Sequence, residues 1–129
     1  MIQARTPVPK TAISLEYNSV TNLTVFEDST IQEFLRQIAP VRSELDRLIL
    51  FGSRARGDSK PGSDYDILVV MPEKDRQVID ALYDATMQVL YKTHRLISLK
   101  IYRKADFDRF AAMPTPFMRS VLHEGVRIG

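Results

Sequence analysis

Two acidic side chains stand at the start of an aliphatic run, ten residues after a Gly-Ser pair. The small pair is Gly52-Ser53, the acids are Asp64 and Asp66, and residues 67–70 read Ile-Leu-Val-Val. Four aliphatic residues in a row, three of them β-branched, predict a buried strand over residues 65–70. Because side chains alternate along a strand, Asp64 and Asp66 should project from the same face.

The two carboxylates predict a cation site. One strand period of two residues places them about 7 Å apart, where like charges repel by about 2 kcal/mol at an effective dielectric near 20. A bound cation reverses that penalty, and Mg²⁺ is commonly held by one or two carboxylates together with substrate phosphates. The competing interpretation is a solvated strand start with Ser63 or Asp64 in a turn. The pair alone is a weak signal, and its spacing from Gly52-Ser53 makes it a strong one.

The Gly-Ser pair predicts a phosphate-binding turn. Glycine lets the backbone approach a ligand, and a helical turn that begins at Ser53 points its hydroxyl and its free amides at an anion. The pair by itself favours an ordinary strand-to-helix connection, and the downstream acids overturn that preference. Gly52 and Gly57 also show the spacing of a P-loop, but Asp58 occupies the place of the required lysine, which excludes that motif.

The hydrophobic pattern predicts an α/β chain. N-cap residue types at 28–30 begin a first helix that Pro40 ends or kinks, with a brief continuation through Val41, Leu45 and Leu48. The other predicted elements are strands over 47–51, 65–70 and 96–102, helices over 74–91 and 105–113, and a last helix from Phe117 that Gly125 caps. Residues 1–27 form an N-terminal arm: 1–10 are expected to be extended or flexible, and 11–26 favour one or two short strands.

Composition limits the class of protein. The 129 residues suit one domain, and the absence of cysteine excludes disulfides and thiolate metal ligands. Arg5, Pro7 and Pro9 interrupt the N-terminus where the core of a signal peptide would lie, so we expect a soluble, unexported, cytoplasmic protein with no membrane association. A net charge of +2 is far from the dense basic stripe of generic nucleic-acid binders and names no polyanionic partner.

The stretch from Gly52-Ser53 to Asp64-x-Asp66 resembles the minimal nucleotidyltransferase family of the DNA polymerase beta superfamily. A looser likeness extends from Thr30 to the C-terminal residues 117–126. The resemblance implies a small mixed β-sheet flanked by helices over residues 28–129, the α/β (α+β) polymerase beta-like fold. It also implies a nucleoside triphosphate bound with Mg²⁺ and transfer of a nucleotidyl group, AMP from ATP, to an acceptor hydroxyl. By the same likeness Gly52 and Ser53 contact the triphosphate, and Asp64 and Asp66 hold the metal.

The third strand departs from the family pattern. Active members carry another carboxylate there, and Ser98 stands in its place, with no acid anywhere in residues 96–102. A neutral hydroxyl is a poor ligand for a second metal ion, so turnover can be impaired while nucleotide binding survives. Lys100, on the same face as Ser98, either meets a phosphate or pairs with Asp64 or Asp66. The resemblance therefore leaves open a non-catalytic antitoxin that partners a HEPN-type toxin.

The remaining candidates carry less weight. We assign Arg54 and Ser63 to the nucleotide site with Lys100, although an arginine beside aspartates is as often part of a local ion pair. His94 and His123 are expected at the surface or in helix caps. The aromatic group Phe107, Phe110 and Phe117 has the spacing of helix faces packed inward and is interpreted as core.

Overall fold

The computed structural model of the protein describes residues 25–129, so the arm and its strands expected over 11–26 lie outside the described residues, apart from 25–27, which are helical. The helices are α1 (Ser29–Ile38), α2 (Ser53–Arg56), α3 (Arg76–Thr93), α4 (Lys104–Ala111) and α5 (Pro116–Glu124). The strands are β1 (Arg47–Phe51), β2 (Tyr65–Met71), β3 (Ile97–Arg103) and β4 (Val126–Arg127). A 3-10 helix, Ala39–Glu44, joins α1 to β1.

The four strands form one mixed sheet in the order β3-β2-β1-β4. Strand β2 runs parallel to β3 and antiparallel to β1, and β4 pairs antiparallel with β1. This register places Phe51, the last residue of β1, beside Asp66 and places Ser98 on the other side of Asp66. The small mixed sheet with flanking helices confirms the predicted fold class.

Both faces of the sheet are covered by helices. The odd-numbered residues of β2 join the larger cluster of buried side chains, which includes α1 and α3, while Leu68 and Val70 join a smaller cluster with Phe107 and Met118 of α4 and α5. A strand buried on both faces needs apolar residues at every position, which explains the unbroken run after Asp66. Asp66 is the one acidic or basic residue of β2, and it lies on the face of α4 and α5.

The helix ends follow local capping chemistry. Asp28 accepts hydrogen bonds from the amides of Thr30 and Ile31, and Asp75 caps α3 in the same way. The predicted helix over 74–91 is therefore shifted to Arg76–Thr93, where His94 adopts a left-handed C-cap conformation.

The predicted continuation of the first helix through Leu45 and Leu48 is wrong. Helix α1 ends at Ile38, Leu45 follows the 3-10 helix, and Leu48 lies in β1. Proline has no backbone N–H to donate and its ring crowds the preceding turn, so Pro40 ends the α-helical ladder and the chain tightens into 3-10 geometry.

Candidate functional site

The Gly-Ser turn lies against the carboxylate of Asp66. Gly52 connects β1 to α2 with φ 78° and ψ −160°, a conformation that only glycine adopts without strain. A Cβ atom built at position 52 would lie 2.5 Å from Asp66 Oδ2. The turn and the acid, separated by thirteen residues in sequence, therefore form one site.

Helix α2 begins at this turn, and its first donor groups have no hydrogen-bond partner within residues 25–129. The amides of Ala55 and Arg56 donate to the carbonyl of Gly52, each at 3.0 Å. Within residues 25–129 neither the amides of Ser53 and Arg54 nor the Ser53 hydroxyl has a hydrogen-bond partner. These groups at the start of a helical turn are the donors that the sequence predicted for a phosphate.

Arg54 holds the segment that carries Asp64. Its Nε and Nη2 donate to the carbonyl of Ser63 at 3.2 and 3.0 Å, and its guanidinium carbon lies 4.4 Å from the centroid of the Tyr65 ring. Arg54 thus contacts Ser63 and Tyr65, the two sequence neighbours of Asp64. The local contact expected as its alternative role is present, but with a carbonyl and a ring and not with a carboxylate.

Ser63 also has a local partner. Its hydroxyl accepts a hydrogen bond from the amide of Lys60 at 2.9 Å, and its own amide donates to the carbonyl of Lys60. The turn passes through Gly62 with φ 110°. Ser63 therefore shapes the loop before Asp64, and its hydroxyl is engaged there in this structure.

Asp66 and Asp64 are close enough to repel each other. Burial raises the pKa of the Asp66 carboxyl above its usual range, and the negative charge of Asp64 raises it further, against the opposing charges of Lys100 and Arg56. Lys100 forms no ion pair within the part of the chain that the structure describes, and its side chain is exposed. The crowded negative charge is thus only partly offset, which favours a cation at this place.

The carboxylates of Asp64 and Asp66 suit one metal ion whose remaining ligands come from a bound phosphate and from water. Two carboxylates lie together, yet residues 25–129 contain no group of three histidine, aspartate or glutamate side chains that could hold a metal. Mg²⁺ takes such a pair when phosphate and water oxygens complete its coordination. A second ion would need a further ligand beside Asp66, and the β3 residue at that register is Ser98.

Sequence reasoning missed two supports of the site. The hydroxyl of Tyr65 donates to Asp28 Oδ2 at 2.8 Å, so the residue that caps α1 also anchors the start of β2. Phe51, beside Asp66, packs edge-on against Phe117 of α5 with ring centroids 5.6 Å apart. No periodicity signals the first contact, because it joins residues thirty-seven positions apart.

Several other side chains have structural roles or lie outside the site. Arg56 pairs with Asp58 and with Glu124 of α5 at the surface. Phe107 is buried, and Phe110 and Phe117 pack against the smaller cluster, which confirms their core role. His123 lies on α5, in the lining of a depression of about 290 Å³ between α4 and α5 that includes none of the site residues.

A family model and two related proteins assign the chain to the same family. The family model described as a nucleotidyltransferase domain matches residues 29–113. Two proteins of Methanocaldococcus jannaschii, each named "putative protein adenylyltransferase", are 35% identical over 103 residues and 33% identical over 100 residues. The alignments cover 76% and 77% of this chain and 94% of each relative.

A solved structure shares the fold. It is a toxin–antitoxin complex with AMP-PNP, 17% identical, with a TM-score of 0.54 over 77% of this chain and 72% of the other. At that identity the likeness concerns the fold alone. Within residues 25–129 no helix has both the length and the apolar character needed to cross a bilayer.

Proposed function

Because the chain belongs to the nucleotidyltransferase domain family, we propose that it binds a nucleoside triphosphate with Mg²⁺ and transfers the nucleotidyl group to a hydroxyl of another protein. The observation that carries this proposal is the contact of the Gly52 turn with Asp66, since it unites a phosphate-binding turn with an acid pair. The names of the two relatives support ATP as the donor and AMP as the transferred group.

Each part of the site has a task in this reaction. The hydroxyl of Ser53 and the free amides of α2 hold triphosphate oxygens, and the exposed ammonium of Lys100 adds a positive charge on the same face of the sheet. Asp64 and Asp66 would hold Mg²⁺, which supplies neutralisation of the phosphate charge. Arg54 keeps Asp64 in place through Ser63 and Tyr65.

The transfer is a displacement at phosphorus. The acceptor oxygen attacks the α-phosphorus and forms a new P–O bond, while the bond from that phosphorus to the bridging oxygen of the β-phosphate breaks. Pyrophosphate leaves with the bonding electron pair, and the hydroxyl proton passes to water. Positioning and charge stabilisation supply most of the rate enhancement in such reactions.

A second candidate, a non-catalytic antitoxin, is favoured by Ser98. The register sets this serine beside Asp66, where the family resemblance implies a third carboxylate. Without that acid the chain would bind nucleotide and act on a HEPN-type toxin by contact. Co-expression with such a toxin separates the candidates: neutralisation that survives Asp66→Asn is contact-based, and neutralisation that Asp66→Asn abolishes depends on the nucleotide site.

The main proposal is tested by titrating ATP into the protein by calorimetry with Mg²⁺ and with EDTA. We expect Mg²⁺ to tighten binding at least tenfold and Asp66→Asn to remove that gain, because the variant loses one charged ligand. Asp58→Asn is the matched control, since Asp58 is an exposed acid in the loop that leads to β2 and it pairs with Arg56. Failure to bind any nucleoside triphosphate, or an equal loss of affinity in both variants, would overturn the proposal.

A further inference from the structure

Within residues 25–129, strand β3 has a free edge. It pairs with β2 along all seven residues, but it is the outer strand of the sheet. The carbonyl of Leu96 accepts from the amide of Tyr65, so in a parallel ladder the backbone groups of Ser98 and Lys100 also point to β2. Those of Ile97, Leu99 and Ile101 point away, and no residue in the described range 25–129 bonds to them.

This edge borders the nucleotide site. Ser98 lies between the edge and Asp66, on the same face of the sheet. A further strand paired with β3 would stand two strand spacings, about 10 Å, from β2. Its side chains on the face of Ser98 would point to the same side as Asp66, and tyrosine reaches across that distance far better than serine.

The edge is positively charged. Residues 95–105 contain Arg95, Lys100, Arg103 and Lys104 and no acid. Arg103 and Lys104 pair with acids outside that stretch, whereas Arg95 and Lys100 form no ion pair within residues 25–129. Pairing of β3 with β3 of a second copy would bring these like charges together, which disfavours self-association.

We propose that the free edge of β3 binds an extended, acidic segment of the acceptor protein as a fifth strand and so presents its hydroxyl to the nucleotide site. Main-chain hydrogen bonds to Ile97, Leu99 and Ile101 supply affinity, and Arg95 and Lys100 select acidic side chains. The inference rests on the proposed nucleotidyl transfer for its purpose, but the docking is measurable without transfer.

Leu99→Pro tests the edge directly. Proline removes the outward N–H of residue 99 and leaves the β2-facing groups of Ser98 and Lys100 in place, which an edge strand tolerates. Leu99→Ala is the matched control, because it loses the same packing and keeps the N–H. A nine-residue peptide of alternating Glu and Val around a central Tyr, labelled at its terminus, serves as the probe in fluorescence anisotropy.

We expect the peptide to bind the unmodified protein and the Leu99→Ala variant, with at least tenfold weaker binding to Leu99→Pro. The same peptide with Lys for Glu should bind at least tenfold more weakly, and methylation of one alternating set of peptide amides, but not of the other, should abolish binding. Equal binding to the two variants, equal binding of the Lys peptide, or no binding of the Glu peptide would overturn the inference.

Titration of Mg²⁺ and ATP into the same preparations separates this result from the proposed function. Retained nucleotide binding in Leu99→Pro shows that the variant is folded, so its lost peptide binding reports the edge. Should the unmodified protein bind the peptide and no nucleotide, the proposed function fails while the docking surface stands. Should it bind nucleotide and not the peptide, the docking surface alone fails.

Discussion

Gly52 and Asp66 fit together because position 52 has no side chain: a Cβ atom there would lie 2.5 Å from Asp66 Oδ2. Real Cβ atoms do not approach an oxygen so closely, so the carboxylate must move when any side chain is added. The backbone at Gly52 also has φ 78°, which adds strain for every L-residue. The Gly52 turn and the Asp66 carboxylate are thus mutually dependent in position.

Gly52→Ala should therefore abolish Mg²⁺-dependent ATP binding and lower the free energy of unfolding by about 2–4 kcal/mol. Gly57→Ala is the matched control, because Gly57 has φ 87° and open space where its Cβ would lie. The control should lose about 1 kcal/mol from backbone strain and keep nucleotide binding. Chemical denaturation and calorimetry measure both quantities; equal effects of the two variants would contradict the contact as the cause.

Asp66 should make the metal-free protein less stable as pH rises. Burial and Asp64 raise the folded pKa of Asp66, so between its ordinary value and the raised value the folded state binds more protons than the unfolded state. Its contribution to stability is then present at low pH and is lost as pH rises through the folded pKa. The penalty is complete once the pH lies well above the folded pKa of Asp66.

Asp66→Asn should remove this penalty and raise the melting temperature at pH 7, in EDTA, by about 1–3 °C. The difference from the unmodified protein should shrink as pH falls below the folded pKa of Asp66. Thermal melts over a pH series provide the measurement, with Asp58→Asn as the exposed control. A variant that melts lower at pH 7 would show that the ionised carboxylate is stabilising.

The sequence predicted the fold class for a physical reason, and it singled out Asp64, Asp66 and the Gly52 turn as the candidate site. Helix caps such as Asp28 act within three residues, and the aliphatic run after Asp66 reports burial on both faces, so both are readable locally. The end of α1 was harder to predict from the sequence. The conformation of the chain after Pro40 depends on how Leu45 and Leu48 pack into the core, which is a tertiary effect.

The contacts of Arg54 and Ser63 could not be predicted from local sequence patterns. Whether Arg54 meets a phosphate, an acid or a carbonyl depends on the path of the loop, which passes through positive φ at Gly57 and Gly62. Composition does not encode that path, and the structure shows Arg54 bound to the Ser63 carbonyl and stacked on Tyr65. Residue types near an acid pair thus do not predict which contacts each side chain makes.

Arg54→Lys should weaken Mg²⁺ binding in the presence of ATP by about tenfold, because an ammonium replaces neither the two-pronged bond to Ser63 nor the stacking on Tyr65. Backbone amides of residues 58–64 should also exchange hydrogen faster, since the loop loses its clamp. Arg56→Lys, in an exposed ion pair with Asp58 and Glu124, is the control and should change neither quantity. Unchanged exchange in Arg54→Lys would show that the loop holds Asp64 without this arginine.

Ser98→Asp should lower the melting temperature of the metal-free protein. Mg²⁺ should raise the melting temperature of this variant more than that of the unmodified protein. The new carboxylate would lie beside Asp66 across the β2–β3 pair, and like charges at adjacent strand positions destabilise by about 0.2–1 kcal/mol. Melting temperatures with EDTA and with Mg²⁺ and ATP measure the difference, and Ser98→Asn controls for size without charge.

If the missing acid limits turnover, Ser98→Asp also raises the rate of pyrophosphate release with an acceptor while Ser98→Asn does not. A larger Mg²⁺ response without any gain in turnover would favour the contact-based antitoxin, because the site would then hold its ions and still transfer nothing.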